Sequence, residues 1–191
     1  MSNKPVGILL AAGKSQRFHS NKLLHPIMDN TPMLLMVAQK LACVLPASVV
    51  VINPALKMYT TQLEQLGLHV VINKQAEQGM GSSIACGVRA SKDASGWLIA
   101  LADMPYIKTQ TLTLLANKLT EGACIVAPQF KQQRGHPVGF SHAYINELLI
   151  LNEDIGARNI IQTNQDQLEL VLTDDEGVVQ DIDYPGDVIT S

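Results

Sequence analysis

Short apolar runs recur along this chain with longer helical stretches between them, and that rhythm limits its fold more than any other feature. Residues 6–11, 48–53, 69–73, 97–102 and 123–127 read as near-continuously apolar strands. Residues 32–45, 56–66, 82–91 and 110–119 read as helices, and Thr31 offers a capping hydroxyl ahead of Pro32 at a first helical position. Strands apolar on both faces and separated by helices predict a parallel sheet covered on each side. The expected class is therefore α/β, a three-layer αβα sandwich around a Rossmann-like, mostly parallel sheet. In such sheets ligands bind beyond the carboxyl ends of the strands, where the strand order reverses. That puts the turn at residues 12–22 and the region of Asp103 on one rim. After Pro128 the rhythm changes to a loop leading into Gly135-His136-Pro137-Val138-Gly139-Phe140. Helices are expected near 143–151 and 157–163, and short strands near 168–172 and 178–181.

Composition narrows the class further. At 191 residues, with 47% hydrophobic and 16% charged residues, the chain can bury one substantial core and reads as a single domain, 1–191. A net charge of −3 with no basic stripe gives no reason to expect a nucleic-acid partner. No apolar stretch is long enough for a bilayer, and the first apolar run is followed by its cations rather than preceded by them. No membrane partner is expected, and the expected location is the cytoplasm. Cys43, Cys86 and Cys124 lack the spacing of a metal site or a disulfide framework and read as small buried hydrophobes. His19, His25, His69 and His142 show no ligand spacing either.

The chemistry concentrates at the end of the first strand, in Leu9-Leu10-Ala11-Ala12-Gly13-Lys14-Ser15-Gln16-Arg17-Phe18. Small residues let backbone N–H groups approach an anion, and Lys14, Arg17 and Lys22 supply the opposing charge in an otherwise acidic chain. A phosphate-bearing ligand follows. It is not held by a P-loop, because Gly7 lies one residue too far from Gly13-Lys14-Ser15 and the intervening residues form an apolar strand. Nor is it held by a dinucleotide fingerprint. G-x-G-x-x-G is missing, and the second strand ends in Ile52-Asn53-Pro54 with no acid for a ribose.

Three further segments converge on the same chemistry. Gly79-Met80-Gly81-Ser82-Ser83 opens a helix after the third strand, where Ser82 or Ser83 can cap while N–H groups face a ligand. Ala102-Asp103-Met104-Pro105 ends an apolar strand in one carboxylate, the kind of donor Mg²⁺ shares with substrate phosphate oxygens. The tail Asp181-Ile182-Asp183-Tyr184-Pro185-Gly186-Asp187 carries three more carboxylates.

Taken in order from Leu9 to Asp187, these motifs resemble the molybdenum cofactor cytidylyltransferases, nucleotidyltransferases with the fold of the nucleotide-diphospho-sugar transferases. The resemblance implies that Leu10, Ala11, Ala12 and Gly13 contact the nucleotide. Arg17 and Lys22 would neutralise its phosphates, and Gly81, Ser82 and Ser83 would read the base. It implies Mg²⁺ as cofactor on Asp103, completed by Asp183 first and Asp181 second, with Arg17, Lys22 and Asp103 as the catalytic set. The acceptor would meet His136, Pro137, Gly139 and Arg158, the last in the family-like Asp154-Ile155-Gly156-Ala157-Arg158. Leu-Ala-Ala-Gly is associated in this group with cytidine, so CTP is the implied donor. The sequence departs from the pattern at His19-Ser20-Asn21, where the family has Gly after Arg-Phe and an acid before Lys.

The implied reaction is attack by the terminal phosphate of a molybdopterin-type acceptor on the α-phosphorus of CTP, with pyrophosphate leaving. A molybdenum hydroxylase is the implied recipient of the product. Such a step needs no general base, in keeping with the lack of any Ser-His-Asp or Cys-His constellation. Two other readings stand beside it: a nucleotidyltransferase for another phosphorylated acceptor such as a sugar phosphate, or with GTP as donor, and a non-catalytic carrier of the cofactor.

Overall fold

The computed structural model describes residues 4–13, 21–152 and 154–187. Along the chain, β1 (Val6–Ala11) leads to a short pair, β2 (Pro26–Met28) and β3 (Thr31–Pro32), then α1 (Met33–Val44) and β4 (Val49–Ile52). There follow α2 (Thr60–Gln65), β5 (His69–Ile72), α3 (Met80–Ala90), β6 (Gly96–Leu101), α4 (Thr109–Thr120) and β7 (Ile125–Phe130). The rest comprises β8 (Gln133–Arg134), β9 (Val138–Ser141), α5 (Ile145–Leu149), α6 (Arg158–Thr163) and β10 (Leu168–Leu172).

The main sheet runs β10-β7-β9-β6-β1-β4-β5, with β8 hairpinned onto β7. The pairs β1–β4, β4–β5, β1–β6 and β7–β10 are parallel, whereas β9 is antiparallel to both β6 and β7. From β1 the chain steps outward through β4 to β5, then returns to the other side of β1 for β6. The order therefore reverses between β1 and β6, and their carboxyl ends flank the crevice that such a reversal opens.

Period-2 alternation sorts the strands' side chains onto two faces. Leu9, Ala11, Leu98 and Ala100 pack with Met33, Val37, Leu41, Leu63 and Leu115 beneath α1, α2 and α4. Ile8, Leu10, Trp97 and Ile99 pack with Ile84, Val88, Leu148, Ile160 and Ile161 beneath α3, α5 and α6. Each such aliphatic side chain taken from water contributes about 1.5–3 kcal/mol, and the two cores make the expected three-layer sandwich. Among the described residues no helix is long and apolar enough to cross a membrane.

Three local expectations are corrected. Pro32 is not the first helical residue: it precedes Met33 in extended conformation, without a side-chain cap, because Thr31 and Pro32 pair with β2. Residues 178–181 form no strand; Glu176–Val179 is a 3₁₀ turn, with Gly177 held against the backbone of Tyr106 and Ile107. The segment after His136 is no simple loop, since Val138–Ser141 is an interior strand of the sheet.

Candidate active site

The end of β1 meets the end of β6 in register: Leu10 pairs with Leu101, and Ala102 N donates to Leu10 O at 3.1 Å. Beyond these ends lies a cleft of about 440 Å³. Its walls include Leu10, Ala12 and Gly13 from the first turn, Lys22, Asp103, and Gly79, Met80 and Ser83 at the start of α3. Arg17, expected beside them, lies outside the described residues. Ala11 is buried in the sheet and does not line the cleft.

One cluster dominates the electrostatics. Lys22 Nζ stands 2.8 Å from Asp103 Oδ2 and 2.9 Å from Asp183 Oδ1. The cation expected on the phosphates thus grips both carboxylates expected on the metal. Burial pulls the Lys22 pKa down, but hydrogen bonds and charge from Asp103 and then Asp183 outweigh it, so the value lies above the ordinary lysine range.

The tail is built to reach this point. Ile182 N donates to Asp103 O at 2.9 Å, laying the tail along the loop that carries the strand-end carboxylate. Asp187 Oδ2 accepts from Asp183 N at 2.9 Å and from Tyr184 N at 2.7 Å, closing the turn that presents Asp183. Asp181 is exposed, and the tail presents Asp183 rather than Asp181 to Lys22.

The loop from Asp103 to α4 is anchored from two sides. Lys40 on α1 donates to Pro105 O and Ile107 O, and its burial lowers its pKa against the opposing charge of Asp175. Asp175, 1% exposed, accepts from Lys108 N, Thr111 Oγ1 and Gly177 N. It fastens the residue before α4, Lys108, from 67 residues away and holds the 3₁₀ turn from which the tail departs.

The donor set suits a divalent cation. Asp103 Oδ1 is buried and has no hydrogen-bond partner among the described residues, so this carboxylate keeps unmatched acceptor capacity beside Asp183. Among the described residues no cluster of three His, Cys, Asp or Glu side chains forms a metal cage. Two carboxylates that leave positions to phosphate oxygens are the Mg²⁺ pattern rather than that of a closed structural site.

The serines of α3 sit otherwise than expected. Gly79, not a serine, precedes the helix, at φ 107°, where an added Cβ would lie 2.6 Å from Asp154 N. Ser82 Oγ donates to Gly79 O at 2.8 Å and accepts from Asn73 Nδ2 at 2.9 Å, and neither Ser82 nor Gly81 lines the cleft. Ser83 does line it, its Oγ also accepting from Asn73 Nδ2, at 3.0 Å. Asn73 thus orders both serines. Its place as the last residue of the expected strand 69–73 was the only sequence signal for it.

A second, more apolar cavity of about 210 Å³ adjoins the first, and Met80, Leu101 and Asp154 line both. Ile84, Ile99, Val138 and Phe140 form its walls, while Arg134, His136 and Arg158 bring polar groups to it. His136 is half-buried, its Nδ1 is without a partner among the described residues, and burial followed by the Arg134 charge lowers its pKa. Both effects favour the neutral imidazole. Pro137 and Gly139 do not line the cavity. At Gly139 an added Cβ would meet Val126 and Leu119 on the far face of the sheet, so this glycine serves strand-to-helix packing. Met80 and Asp154 lay in quoted motifs without a role of their own and Arg134 escaped the sequence reading, because hairpin, loop and helix start meet only in the fold.

Comparison with known proteins agrees with this architecture. The family described as "MobA-like NTP transferase domain" matches residues 7–169. Purine catabolism protein PucB of Bacillus subtilis is 30% identical over 94% of this chain and 92% of its own length. Rv0371c of Mycobacterium tuberculosis superposes with a TM-score of 0.84 at 23% identity, covering 98% of this chain and 96% of that one. Its manganese complex gives 0.75 at 20% identity, over 96% and 95%. A nucleotidyl transferase of Methanothermobacter thermautotroptrophicus (Mth528) gives 0.79 at 18% identity, over 97% and 94%. With the strand order, the cleft at its reversal and the paired carboxylates in place, the chain belongs to the MobA-like NTP transferase family and is a nucleotidyltransferase.

Proposed function

We propose that this protein transfers CMP from CTP to the terminal phosphate of molybdopterin and releases pyrophosphate. The observation that carries the reading is the pair of abutting cavities. The polar one is lined by Lys22 and Asp103, with Asp183 paired to Lys22, and the apolar one opens beside it across Met80, Leu101 and Asp154. Leu10, Ala12, Gly13 and Ser83 would seat the nucleotide. The apolar walls suit a flat heterocycle, and Arg134, His136 and Arg158 suit the anionic end of an acceptor.

A phosphate monoester is already ionised near neutral pH, so the protein's share of the work is positioning and charge stabilisation. Asp103 and Asp183 would hold Mg²⁺, which would supply positive charge to offset that of the triphosphate. Lys22 and Arg17 would offset the charge that grows on departing pyrophosphate. His136, neutral, can donate one hydrogen bond to the acceptor without adding charge.

The test is pyrophosphate release with CTP, GTP, ATP and UTP, with and without molybdopterin. The reading predicts release only when CTP and molybdopterin are both present. Binding of molybdopterin without release would indicate a carrier. Release with a sugar phosphate but not with molybdopterin would move the acceptor to another class.

A further inference from the structure

Lys22 is held by both carboxylates at once, and that arrangement has a consequence for how the site is loaded. Its ammonium lies 2.8 Å from Asp103 and 2.9 Å from Asp183, on side chains that are 15%, 23% and 37% exposed respectively. A magnesium-sized cation sits about 2.0–2.1 Å from its oxygen ligands. A cation held by Asp103 Oδ2 and Asp183 Oδ1 together would enter the space the ammonium fills. Like charges at such separation in a partly buried cleft repel strongly. We infer that Lys22 is the resident counter-cation of these carboxylates: it holds them together until a divalent cation arrives, and it is then released toward the triphosphate. This rests on the reading of Asp103 and Asp183 as metal ligands.

The fold supplies what such an exchange needs. Lys22 carries a compact charge on a flexible four-carbon stem, free to swing where a guanidinium fork would stay locked. It lines the same cleft as Ala12 and Gly13, whose small side chains leave room for phosphates within that swing. The carboxylates do not scatter when it leaves, because Ile182 N still binds Asp103 O and Asp187 still closes the turn at Asp183. Metal and triphosphate binding are then coupled through one side chain, and the coupling is reciprocal. The metal displaces the ammonium from the carboxylates, and the triphosphate gives the displaced charge a partner.

The experiment measures Mn²⁺ binding by calorimetry, without nucleotide, for wild type, Lys22→Met, Lys22→Gln and Asp103→Asn. Two half-buried ion pairs would be lost when the metal enters the wild-type site, so both lysine variants should bind Mn²⁺ about tenfold tighter. Manganese anomalous scattering should place the ion between Asp103 and Asp183 in Lys22→Met crystals. Unchanged or weaker binding in both lysine variants, with Asp103→Asn still abolishing it, would leave the metal site standing and overturn the exchange. Mn²⁺ binding indifferent to Asp103→Asn would overturn the metal assignment and this inference together.

Discussion

Asp103→Asn lowers the rate of pyrophosphate release by about a thousandfold or more while leaving the fold intact. The substitution keeps the shape of the side chain and removes its charge. Asp103 is the point where the end of β6, the Lys22 ammonium and the tail meet, through Lys22 Nζ at 2.8 Å and Ile182 N at 2.9 Å. Only the first of these contacts depends on the carboxylate, since the second is to the backbone carbonyl. Stability should therefore change little, whereas the charge that on the proposed reading would hold a cation for the triphosphate is gone. Steady-state kinetics beside thermal unfolding separates the two effects. A rate within tenfold of wild type would remove Asp103 from the catalytic set.

The second large effect concerns a residue that touches no substrate. Asp175→Ala should cost about 3–5 kcal/mol, because three donors lose a buried carboxylate acceptor and the start of α4 loses its tie to the tail. Those donors are Lys108 N at 2.8 Å, Thr111 Oγ1 at 2.6 Å and Gly177 N at 3.1 Å. For a chain of this size the midpoint of thermal unfolding should fall by about 10 °C. The adjacent Asp174 is the control: it is 95% exposed, with a single 3.4 Å ion pair to Lys108. Asp174→Ala should stay within about 0.5 kcal/mol of wild type. Asp175→Ala should also depress turnover, since the turn it holds sends the tail toward Asp183. Equal effects at both positions would deny Asp175 this anchoring role.

Where packing repeats along the sequence, the fold was readable from it. The strands at 6–11, 49–52 and 96–101 emerge within a residue or two of their expected bounds, because buried parallel strands are apolar on both faces, and those at 69–72 and 168–172 emerge as well, at the two edges of the sheet. Val138–Ser141 escaped notice for the opposite reason: it is short, preceded by Pro137 and interrupted by Gly139. Its strand character comes from β6 and β7 on either side, not from its own residues. Residues 178–181 erred the other way, since two valines suggested a strand where Gly177 packs on the Tyr106–Ile107 backbone and the chain turns. At the site, Asp103 and Asp183 could be picked out because each lies in a short motif. Asp175, Lys40, Asn73 and Arg134 could not, since each works on backbone or side chains brought near only by the sheet.

The central claim is that one nucleoside monophosphate moves to an acceptor phosphate and the outer two phosphates leave together. Isotopic labelling of the donor tests it most directly. With CTP labelled at the α-phosphorus, the label should appear on molybdopterin; with CTP labelled at the γ-phosphorus, it should appear in pyrophosphate. A γ-label found on the acceptor, or both labels found in CMP and inorganic phosphate with the acceptor unchanged, would contradict it.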